Sequence, residues 1–527
     1  MRIIEKIKFL PFYPFFFTLY PLLALTGSNI SEITISAVWR LLIFMLLSVF
    51  ITTILFFFLI RDWHRVAITI SVLALLFFTY GHLYNYLKTV EISGFVLGRH
   101  RQLLPLWTGL AVLGCWWSIR TLRNPRAVAP TLNLISAFLL VYPLFQTISY
   151  VTHDYQIRRA TANRFEQTVY TELPLGYAPD IYYIILDAYG RADTLQNLFD
   201  YENSEFLDFL EAKGFYVADC AQSNYSQTVL SLSSSLNLNY VDEFVPGLEK
   251  DDSDRAPLIV AGQYSSTRKM LESMGYHTVS FSTKFPVSEW KDAQYYLEPP
   301  KSGMTDFELM FAQTTIWRAS MDFIKQPPEK RFANWDRRRT LFLLEQLSSN
   351  VIDLPSPKFV FAHFIIPHRP FVFGPNGEEM DPKFYQPGKM GFDIFSEGYV
   401  NQVKFINKNI EHVINRILET SSRPPVIIIQ GDHGPDFWSV KITEEAPAEE
   451  SWDFQSHRMY ILNAYYFPGD SSGLYENISP VNTFRLIFNK YFGKNYEMLE
   501  DISRYSSHAR PYDYSIVAPV CSEVLQR

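Results

Sequence analysis

The chain has 527 residues, of which 48% are hydrophobic, 16% aromatic and only 19% charged. This composition excludes a disordered, collagen-like or coiled-coil chain, and the length is enough for about two to four domains. The net charge of −7 combines two unlike parts, because residues 1–164 carry 15 Lys and Arg against 5 Asp and Glu, whereas the remainder carries 32 against 49. The acidic bulk of the chain argues against nucleic acid as a partner.

Five apolar stretches precede residue 152, and they occupy residues 9–26, 38–60, 66–87, 103–119 and 128–151. Stretches of about 17–25 apolar residues match the length of a helix that crosses a bilayer. We therefore predict an α-helical membrane domain of about five transmembrane helices over residues 1–155. A cleaved signal peptide does not fit, because four further apolar stretches follow the first.

The distribution of Lys and Arg between these stretches predicts the membrane topology. If the N-terminus is cytoplasmic, the inner segments contain eight of these residues and the outer loops contain three. Basic residues concentrate on the cytoplasmic side of membrane proteins. We predict a multi-pass protein of the cell (inner, cytoplasmic) membrane, with a cytoplasmic N-terminus and an extracytoplasmic C-terminal domain.

A linker over residues 156–178 leads to a second domain over residues 179–527, and the stretch Thr171–Pro179 at this junction holds two prolines and a glycine. In this domain short Ile-, Val- and Tyr-rich runs alternate with amphipathic ones. Strands are predicted at 181–187, 215–219, 277–282, 359–366, 426–432 and 459–469, and helices at 204–215, 228–236 and 398–420. The alternation predicts an α/β domain with a mainly parallel central sheet, in which ligands bind at the carboxyl ends of the strands.

Three of the predicted strands lead into residues that can bind a metal. Asp187 ends the first strand, the pair Asp432–His433 follows the run VIIIQG, and the segment FAHFIIPH contains His363 and His368. Carboxylate oxygen and imidazole nitrogen suit a divalent ion such as Zn²⁺ or Mn²⁺. An Asp at a strand end is often only a turn or a helix cap, but three such groups in one domain favour one divalent metal site.

A candidate nucleophile, Thr228, lies where a loop becomes the predicted helix 228–236. Backbone amides at a helix N-terminus favour an incoming anion such as phosphate, and metal coordination would activate the hydroxyl. Thr228 could equally serve only as a helix cap. Ser226 and Ser231 also remain alternative nucleophiles, because spacing alone does not exclude them.

Four motifs follow one another in the order LDAYG, Thr228 with Ser231 and Leu232 after it, PHRPF, and GDHG. This ordered set resembles the alkaline phosphatase/sulfatase-like superfamily over roughly residues 175–470. With five preceding spans, the chain looks like the membrane-bound branch, to which lipoteichoic acid synthases and lipid A phosphoethanolamine transferases belong. Formylglycine sulfatases are a poorer match, since neither Cys220 nor Thr228 is followed by the Pro-x-Arg that their motif requires.

The resemblance implies a ligand set and a mechanism. The metal would be held by Asp187, Thr228, Asp432 and His433, and a second metal is an open alternative. The Thr228 hydroxyl would attack phosphorus and form a phospho-threonine, while His368 contacts the phosphoryl group or the leaving oxygen.

Three further residues are predicted to bind substrate. His363 could assist His368, add to a second metal site, or simply be a buried strand residue. His457 and Arg458 precede the predicted strand 459–469 and could meet substrate phosphate.

The predicted activity is that of a membrane-anchored, sulfatase-like phosphotransferase. A five-helix anchor favours a membrane lipid as donor, such as phosphatidylglycerol or phosphatidylethanolamine, and an envelope glycan or lipid as acceptor. The alternatives are a phosphodiesterase or phosphatase of the same superfamily, in which water is the acceptor, and a non-catalytic envelope scaffold. A transporter is disfavoured because the apolar stretches contain almost no polar residues. The sequence leaves open whether Cys220 and Cys521 pair.

Overall fold

A computed structural model of the chain describes residues 8–30, 36–92, 95–166, 178–245, 247–300, 304–325, 327–386, 388, 390–437, 452–518 and 521. The chain folds into two compact units. The first contains Met1–Tyr155 and Lys301–Phe332, and the second contains Gln156–Pro300 and Ala333–Arg527. Residues 304–325 and 327–332 lie within the predicted second domain, but in the structure they belong to the first unit.

The first unit is built from helices and one short hairpin. Up to residue 166 the elements are, in chain order, α1 (Tyr13–Ser28), α2 (Ser36–Ile60), α3 (Trp63–Leu87), β1 (Glu91–Ile92), β2 (Phe95–Val96), α4 (His100–Trp116) and α5 (Ala129–Glu166). The part of α5 from Gln156 onward belongs to the second unit. Helix α3 begins where it does because the Asp62 side chain accepts hydrogen bonds from the backbone N–H groups of His64 and Arg65.

A helix forms at each of the five predicted apolar stretches. Among the described residues, four helices are long and apolar enough to cross a membrane: Val38–Ile60, Trp63–Leu87, His100–Thr121 and Ala129–Gln156. Helix α1, at the first stretch, has 16 residues. Helix α5 continues to Glu166, so the beginning of the predicted linker is helical. The linker residues 167–177 lie outside the described part of the chain.

The second unit alternates strands and helices, and residues 301–332 of the first unit interrupt it. The elements from residue 181 onward are β3 (Ile181–Leu186), α6 (Ala192–Phe199), α7 (Ser204–Ala212), β4 (Tyr216–Val217), α8 (Thr228–Leu236), α9 (Val241–Phe244), α10 (Ala256–Gln263), α11 (Ser266–Ser273), β5 (His277–Phe281), β6 (Tyr295–Leu297), α12 (Asp306–Thr314), α13 (Trp317–Phe323), α14 (Pro328–Ser348), β7 (Lys358–Phe364), α15 (Phe392–Thr420), β8 (Val426–Gly431), α16 (Trp452–Met459), β9 (Asn463–Tyr466), α17 (Pro480–Phe492), β10 (Ser503–Tyr505) and β11 (Ser515–Val517). Of these, α12, α13 and the start of α14 lie in the first unit.

Seven strands form the central sheet of the second unit, in the order β4-β9-β8-β3-β7-β5-β6. Strands β8, β3, β7, β5 and β6 run parallel to one another, and β9 is antiparallel to both β8 and β4. The prediction of a helical membrane part followed by an α/β domain with a mainly parallel sheet is thus confirmed. The last predicted strand, 459–469, is shorter in the structure, because helix α16 extends to Met459 and β9 begins at Asn463.

Both faces of the sheet are buried, which explains why its central strands are continuously apolar. On β3, Tyr183 and Ile185 point towards one face, where they pack in a cluster with Leu232 and Leu236 of α8. The alternate residues of β3 belong to a second cluster, which α15 covers. Because side chains alternate along a strand, the face covered by α8 is also the face to which position 187 belongs.

Candidate active site

Asp187 and Asp432 lie side by side at the carboxyl edge of the sheet. Strands β3 and β8 are parallel and in register, with Leu186 opposite Gly431, so the next residue on each strand is one of the two aspartates. Neighbouring strands are about 4.8 Å apart, which brings equivalent side chains together. Both aspartates are fully buried.

His363 joins this pair from the other neighbour of β3. It lies on β7 opposite Ile185, and therefore on the same face of the sheet as Asp187. Its Nδ1 is 2.9 Å from the Ser288 hydroxyl, and its Nε2 is 3.5 Å from Asp187 Oδ2. Asp187, His363 and Asp432 each offer one ligand atom, and these atoms lie within 4.8 Å of one another.

His433 and Thr228 complete the group. His433 Nδ1 lies 2.9 Å from the carbonyl of Gly434, to which it donates, so the lone pair is on Nε2. This Nε2 is 3.1 Å from Thr228 Oγ1, 3.6 Å from Asp187 Oδ1 and 3.4 Å from Asp432 Oδ2. Thr228 is the first residue of α8, which packs on this face of the sheet. The structure thus brings together the four predicted metal ligands.

The protonation state of His433 suits a metal ligand. Burial of the ring lowers its pKa below the usual 6.5, and the nearby Arg458 guanidinium lowers it further. The imidazole is therefore neutral at neutral pH, with its lone pair available. The pKa of Asp187 is also lowered, because the three neighbouring histidines outweigh the opposing effect of burial, so its carboxylate is ionised.

Several buried polar atoms at this edge have no hydrogen-bond partner among the residues that the structure describes. They are both carboxylate oxygens of Asp187, Oδ2 of Asp432 and Nε2 of His363. Buried polar groups are nearly always paired, and leaving a carboxylate without a partner is costly. These atoms face one another and are the donor types that Zn²⁺ and Mn²⁺ prefer, so the residues present fit a divalent metal ion. The geometry also adds His363 to the four ligands predicted from the sequence.

His368 lies at the edge of this group. Its backbone N–H donates to the carbonyl of Asp187 at 3.0 Å, and its Nδ1 donates to the carbonyl of Arg369 at 2.6 Å. Its Nε2 is 3.7 Å from Asp436 Oδ2, and its ring centre is 6.4 Å from that of His433. Burial lowers the pKa of His368, but the Asp187 and Asp436 carboxylates more than compensate and raise it to about 9. His368 is therefore an imidazolium at neutral pH.

Arg458 also reaches the site. Its guanidinium donates to the carbonyls of Ser226 (2.9 Å) and Gly434 (3.1 Å), lies 3.3 Å from Asp436 Oδ2, and is 3.4 Å from His433 Nε2. The buried Arg458 guanidinium, which lies close to the residues around Thr228, could bind an anionic substrate. His457, by contrast, contacts Thr194 at 3.0 Å and is not among the side chains that surround the carboxylates.

The two alternative nucleophiles are engaged elsewhere. The Ser226 hydroxyl donates to the Ser506 carbonyl at 3.0 Å, and the Ser231 hydroxyl is 3.2 Å from that of Ser223. Thr228 is the hydroxyl that contacts His433. The position of Thr228 thus favours it over the two serines.

Two residues of the site were not predicted from the sequence. Asp436 follows the GDHG motif after one proline, and Ser288 ends a short 3₁₀ helix (Pro286–Ser288) that lies 75 residues before His363 in the chain. Asp436 lies four residues after Asp432, and this short spacing could have indicated that a third acid lies at the same edge of the sheet. No sequence pattern marks Ser288, because only the fold brings it to His363.

A disulfide joins Cys220 to Cys521, with their Cα atoms 5.1 Å apart. This answers the question that the sequence left open. The bridge fixes the C-terminal segment to the loop that precedes Thr228.

No family model matches the chain, and no curated protein matches it. Solved structures are similar to it. The C-terminal periplasmic domain of EptC from Escherichia coli, in complex with Zn, shares 13% identity over 66% of this chain and 97% of its own, with a TM-score of 0.42. The integral membrane protein lipooligosaccharide phosphoethanolamine transferase A from Neisseria meningitidis shares 13% identity over 92% and 95%, with a TM-score of 0.38. A 2-O GAG sulfatase shares 11% identity over 62% and 77%, with a TM-score of 0.39.

The side chains of the site itself carry the functional proposal that follows.

Proposed function

We propose that the chain is a membrane-anchored, metal-dependent phosphoryl-group transferase that uses Thr228 as its nucleophile. The observation that supports this most is the position of the Thr228 hydroxyl, 3.1 Å from Nε2 of a neutral His433. The same Nε2 lies beside buried carboxylate oxygens of Asp187 and Asp432 that have no hydrogen-bond partner among the described residues. An alcohol in such a group is placed for activation by a divalent cation. A threonine that served only as a helix cap would not need a neutral histidine and buried carboxylates around it.

The residues that would hold the cation are Asp187, Asp432, His433 and Thr228, with His363 as a further donor. When bound there, a Zn²⁺ or Mn²⁺ ion supplies Lewis-acid chemistry, which lowers the pKa of a coordinated hydroxyl and offsets charge on phosphoryl oxygens. Ser288 orients His363 through the hydrogen bond to its Nδ1, as partners of metal-ligating histidines commonly do.

The side chains of the site divide the work of two displacements at phosphorus. Thr228 Oγ1 gives up its proton to solvent and attacks phosphorus, and the anionic phosphoryl oxygens meet the backbone amides at the start of α8 and the Arg458 guanidinium. The bond from phosphorus to the donor oxygen breaks as His368, protonated at neutral pH, donates its proton to that leaving oxygen. The acceptor hydroxyl then attacks the phospho-threonine and passes its proton to the now neutral His368, while the bond from phosphorus to Thr228 Oγ1 breaks and Oγ1 takes up a proton from solvent.

We further propose a membrane lipid as donor and an envelope glycan or lipid as acceptor. Four helices long and apolar enough to cross a membrane support a lipid donor, because such an anchor would hold the chain near lipid headgroups. With the N-terminus cytoplasmic, as the basic residues favour, the second unit would be extracytoplasmic. The Cys220–Cys521 disulfide supports this location, because disulfides persist in oxidising compartments. If water replaces the acceptor, the same residues make the protein a phosphodiesterase.

The test uses the full-length protein in vesicles with labelled phosphatidylglycerol or phosphatidylethanolamine. We expect a mass-spectrometric adduct on Thr228 and release of diacylglycerol. Thr228→Val, which keeps the side-chain shape, should reduce release by a factor of about 10³ or more, as loss of a nucleophile does in covalent catalysis. Ser226→Ala is the matched control, because that hydroxyl lies two residues away but bonds the Ser506 carbonyl.

Two results would contradict the proposal. Equal diacylglycerol release from Thr228→Val and the wild type would show that Thr228 is not the nucleophile. A purified protein that binds no stoichiometric Zn²⁺ or Mn²⁺ and turns over no lipid would favour the scaffold alternative. Comparing transfer to a glycan acceptor with transfer to water separates the transferase from the hydrolase.

A further inference from the structure

Residues 304–325, here called the docking segment, belong in sequence to the stretch between β6 and α14 but fold into the first unit. The segment contains α12 and α13. Phe307 and Phe311 of α12 are buried in a cluster with Leu22 of α1 and Phe78 of α3, and the rings of Phe78 and Phe311 are 5.8 Å apart. The docking segment is therefore part of the packed core of the membrane unit, not a surface loop.

The backbone of the docking segment touches the backbone of α3 directly. A Cβ added to Gly81 would clash with the backbone carbonyl groups of Gln313 and Thr314. The N–H of Ile316 donates to the carbonyl of Phe77 at 3.0 Å. Contacts this close leave no room for a lipid chain or water between the segment and the helix.

Ion pairs hold the segment at one end of the membrane helices. The Arg318 guanidinium is 3.0 Å from Asp322, and Asp322 is 2.8 Å from His100 at the start of α4. Arg40, near the start of α2, pairs with Glu308. Since α2 and α4 begin at this end and α3 ends there, it is the end that a cytoplasmic N-terminus places on the outer side.

At the C-terminal end of the docking segment, residues 323–325 and here called its tip, two large apolar side chains are exposed. Phe323 is 65% exposed and Ile324 is 61% exposed, and Lys325 follows them. The Phe323 ring is 5.8 Å from that of His100. The rest of α4 also carries exposed apolar side chains, among them Leu110. The tip therefore continues the apolar surface that this helix presents to lipid.

We propose that Phe323 and Ile324 insert into the outer-leaflet interface of the membrane, so that the docking segment is an interfacial anchor. Adjacent large apolar side chains exposed beside a lipid-facing helix and flanked by a lysine are typical of segments that lie in the headgroup region. Chain connectivity adds a consequence. The second unit is attached to the membrane unit not only through α5 but again through both ends of the docking segment.

The test measures the depth of residue 323 in the bilayer with the full-length protein. In a Cys115→Ser background, which keeps the disulfide, Phe323→Cys is labelled with an environment-sensitive nitrobenzoxadiazole dye. The protein is placed in phosphatidylcholine–phosphatidylglycerol vesicles whose acyl chains carry bromine near the headgroup or near the methyl end. We expect about twofold quenching by the shallow bromines, because interfacial segments are buried by about 5–10 Å. The deep bromines should quench less.

Two labelled positions calibrate the measurement, and a third repeats it. Leu110→Cys, within a predicted span, should be quenched by deep bromines, and Lys213→Cys, on a polar helix end, should show no quenching. Ile324→Cys should behave like Phe323→Cys, which guards against a local effect of one substitution. If the labels at 323 and 324 respond like the label at 213, the proposal is refuted. A second result would also refute the proposal. If the labels at 323 and 324 are not quenched by bromine but show energy transfer between protein copies, and excess lipid abolishes this transfer, then the tip binds a second copy of the protein.

Discussion

Removing divalent metal should lower the thermal stability of the protein, and Asp187→Asn should abolish this response. In the structure the Asp187 carboxylate is fully buried, and within the described part of the chain neither of its oxygens has a hydrogen-bond partner. An unsatisfied buried polar group costs about 1–3 kcal/mol, and more when it is charged. A bound cation would relieve that cost, whereas the neutral amide of Asn has far less to relieve.

The size of the expected shift follows from binding linkage. A ligand that binds the folded state, at a free concentration of 100 times its Kd, stabilises by about 2.7 kcal/mol. For a large domain, 1 kcal/mol corresponds to about 2–4 °C in Tm, so the metal should raise Tm by about 5–10 °C. Asp187→Asn should show a shift close to zero at the same metal concentration.

The measurement is a thermal unfolding scan of the full-length protein in detergent, followed by tryptophan fluorescence, after chelation and after graded addition of Zn²⁺ or Mn²⁺. Asp436→Asn is the matched control, because it removes an aspartate from the same sheet edge that contacts His368 and Arg458. This variant should keep the metal response. Identical scans with and without metal for the wild type, or an equal metal response in Asp187→Asn, would refute the assignment of the site.

Three further predictions follow from contacts around the site. Activity should fall as pH rises through about 9, because His368 then loses the proton that it donates. Asp436→Asn removes a carboxylate that raises the pKa of His368, so the fall in a kcat/KM–pH profile should begin at least about one pH unit lower. Ser288→Ala should weaken Zn²⁺ or Mn²⁺ binding about 10–100-fold in a competition titration, because it frees the histidine that the hydroxyl orients. Cys220→Ser should destabilise the fold by about 2–4 kcal/mol in denaturant unfolding, since the lost bridge closes a long loop.

Each of these predictions has an outcome that contradicts it. An alkaline limb that stays in place in Asp436→Asn would show that this carboxylate does not control His368. Unchanged metal affinity in Ser288→Ala would show that the hydrogen bond is incidental. Equal unfolding of the wild type and of Cys220→Ser under oxidising conditions would mean that the bridge contributes nothing to stability.

The strands that build the site could be predicted because their sequences are unambiguous. Runs such as IYYIIL and VIIIQG are too apolar and too β-branched for a surface segment, and they end in acids. Their parallel pairing follows from the helices between them. The approach of Asp187 to Asp432 then needs only that the two strands are neighbours, which the register of β3 with β8 provides.

The sequence was less informative about His363. Alternation along β7 places it on the same face as Asp187, but this is only decisive once β7 is known to be the neighbour of β3. Without that strand order, a buried histidine on an apolar strand has several equally good explanations. The partner Ser288 lies in a short 3₁₀ helix whose position no local pattern encodes.

The docking segment could not be predicted for a similar reason. Residues 306–314 read as an ordinary amphipathic helix, since their capping box and apolar spacing are those of any soluble helix. What distinguishes them is the surface on which they pack. That surface lies more than two hundred residues earlier in the chain, and sequence patterns do not encode such pairings.

The packing of Phe307 and Phe311 against Leu22 and Phe78 bears on how the protein can be divided for study. A shortened chain that begins after α5 would retain these two phenylalanines but lose the side chains that cover them. Newly bared aromatic surface of this kind promotes aggregation. A soluble form should therefore either omit residues 304–325 and rejoin the flanking ends, or replace both phenylalanines with polar residues.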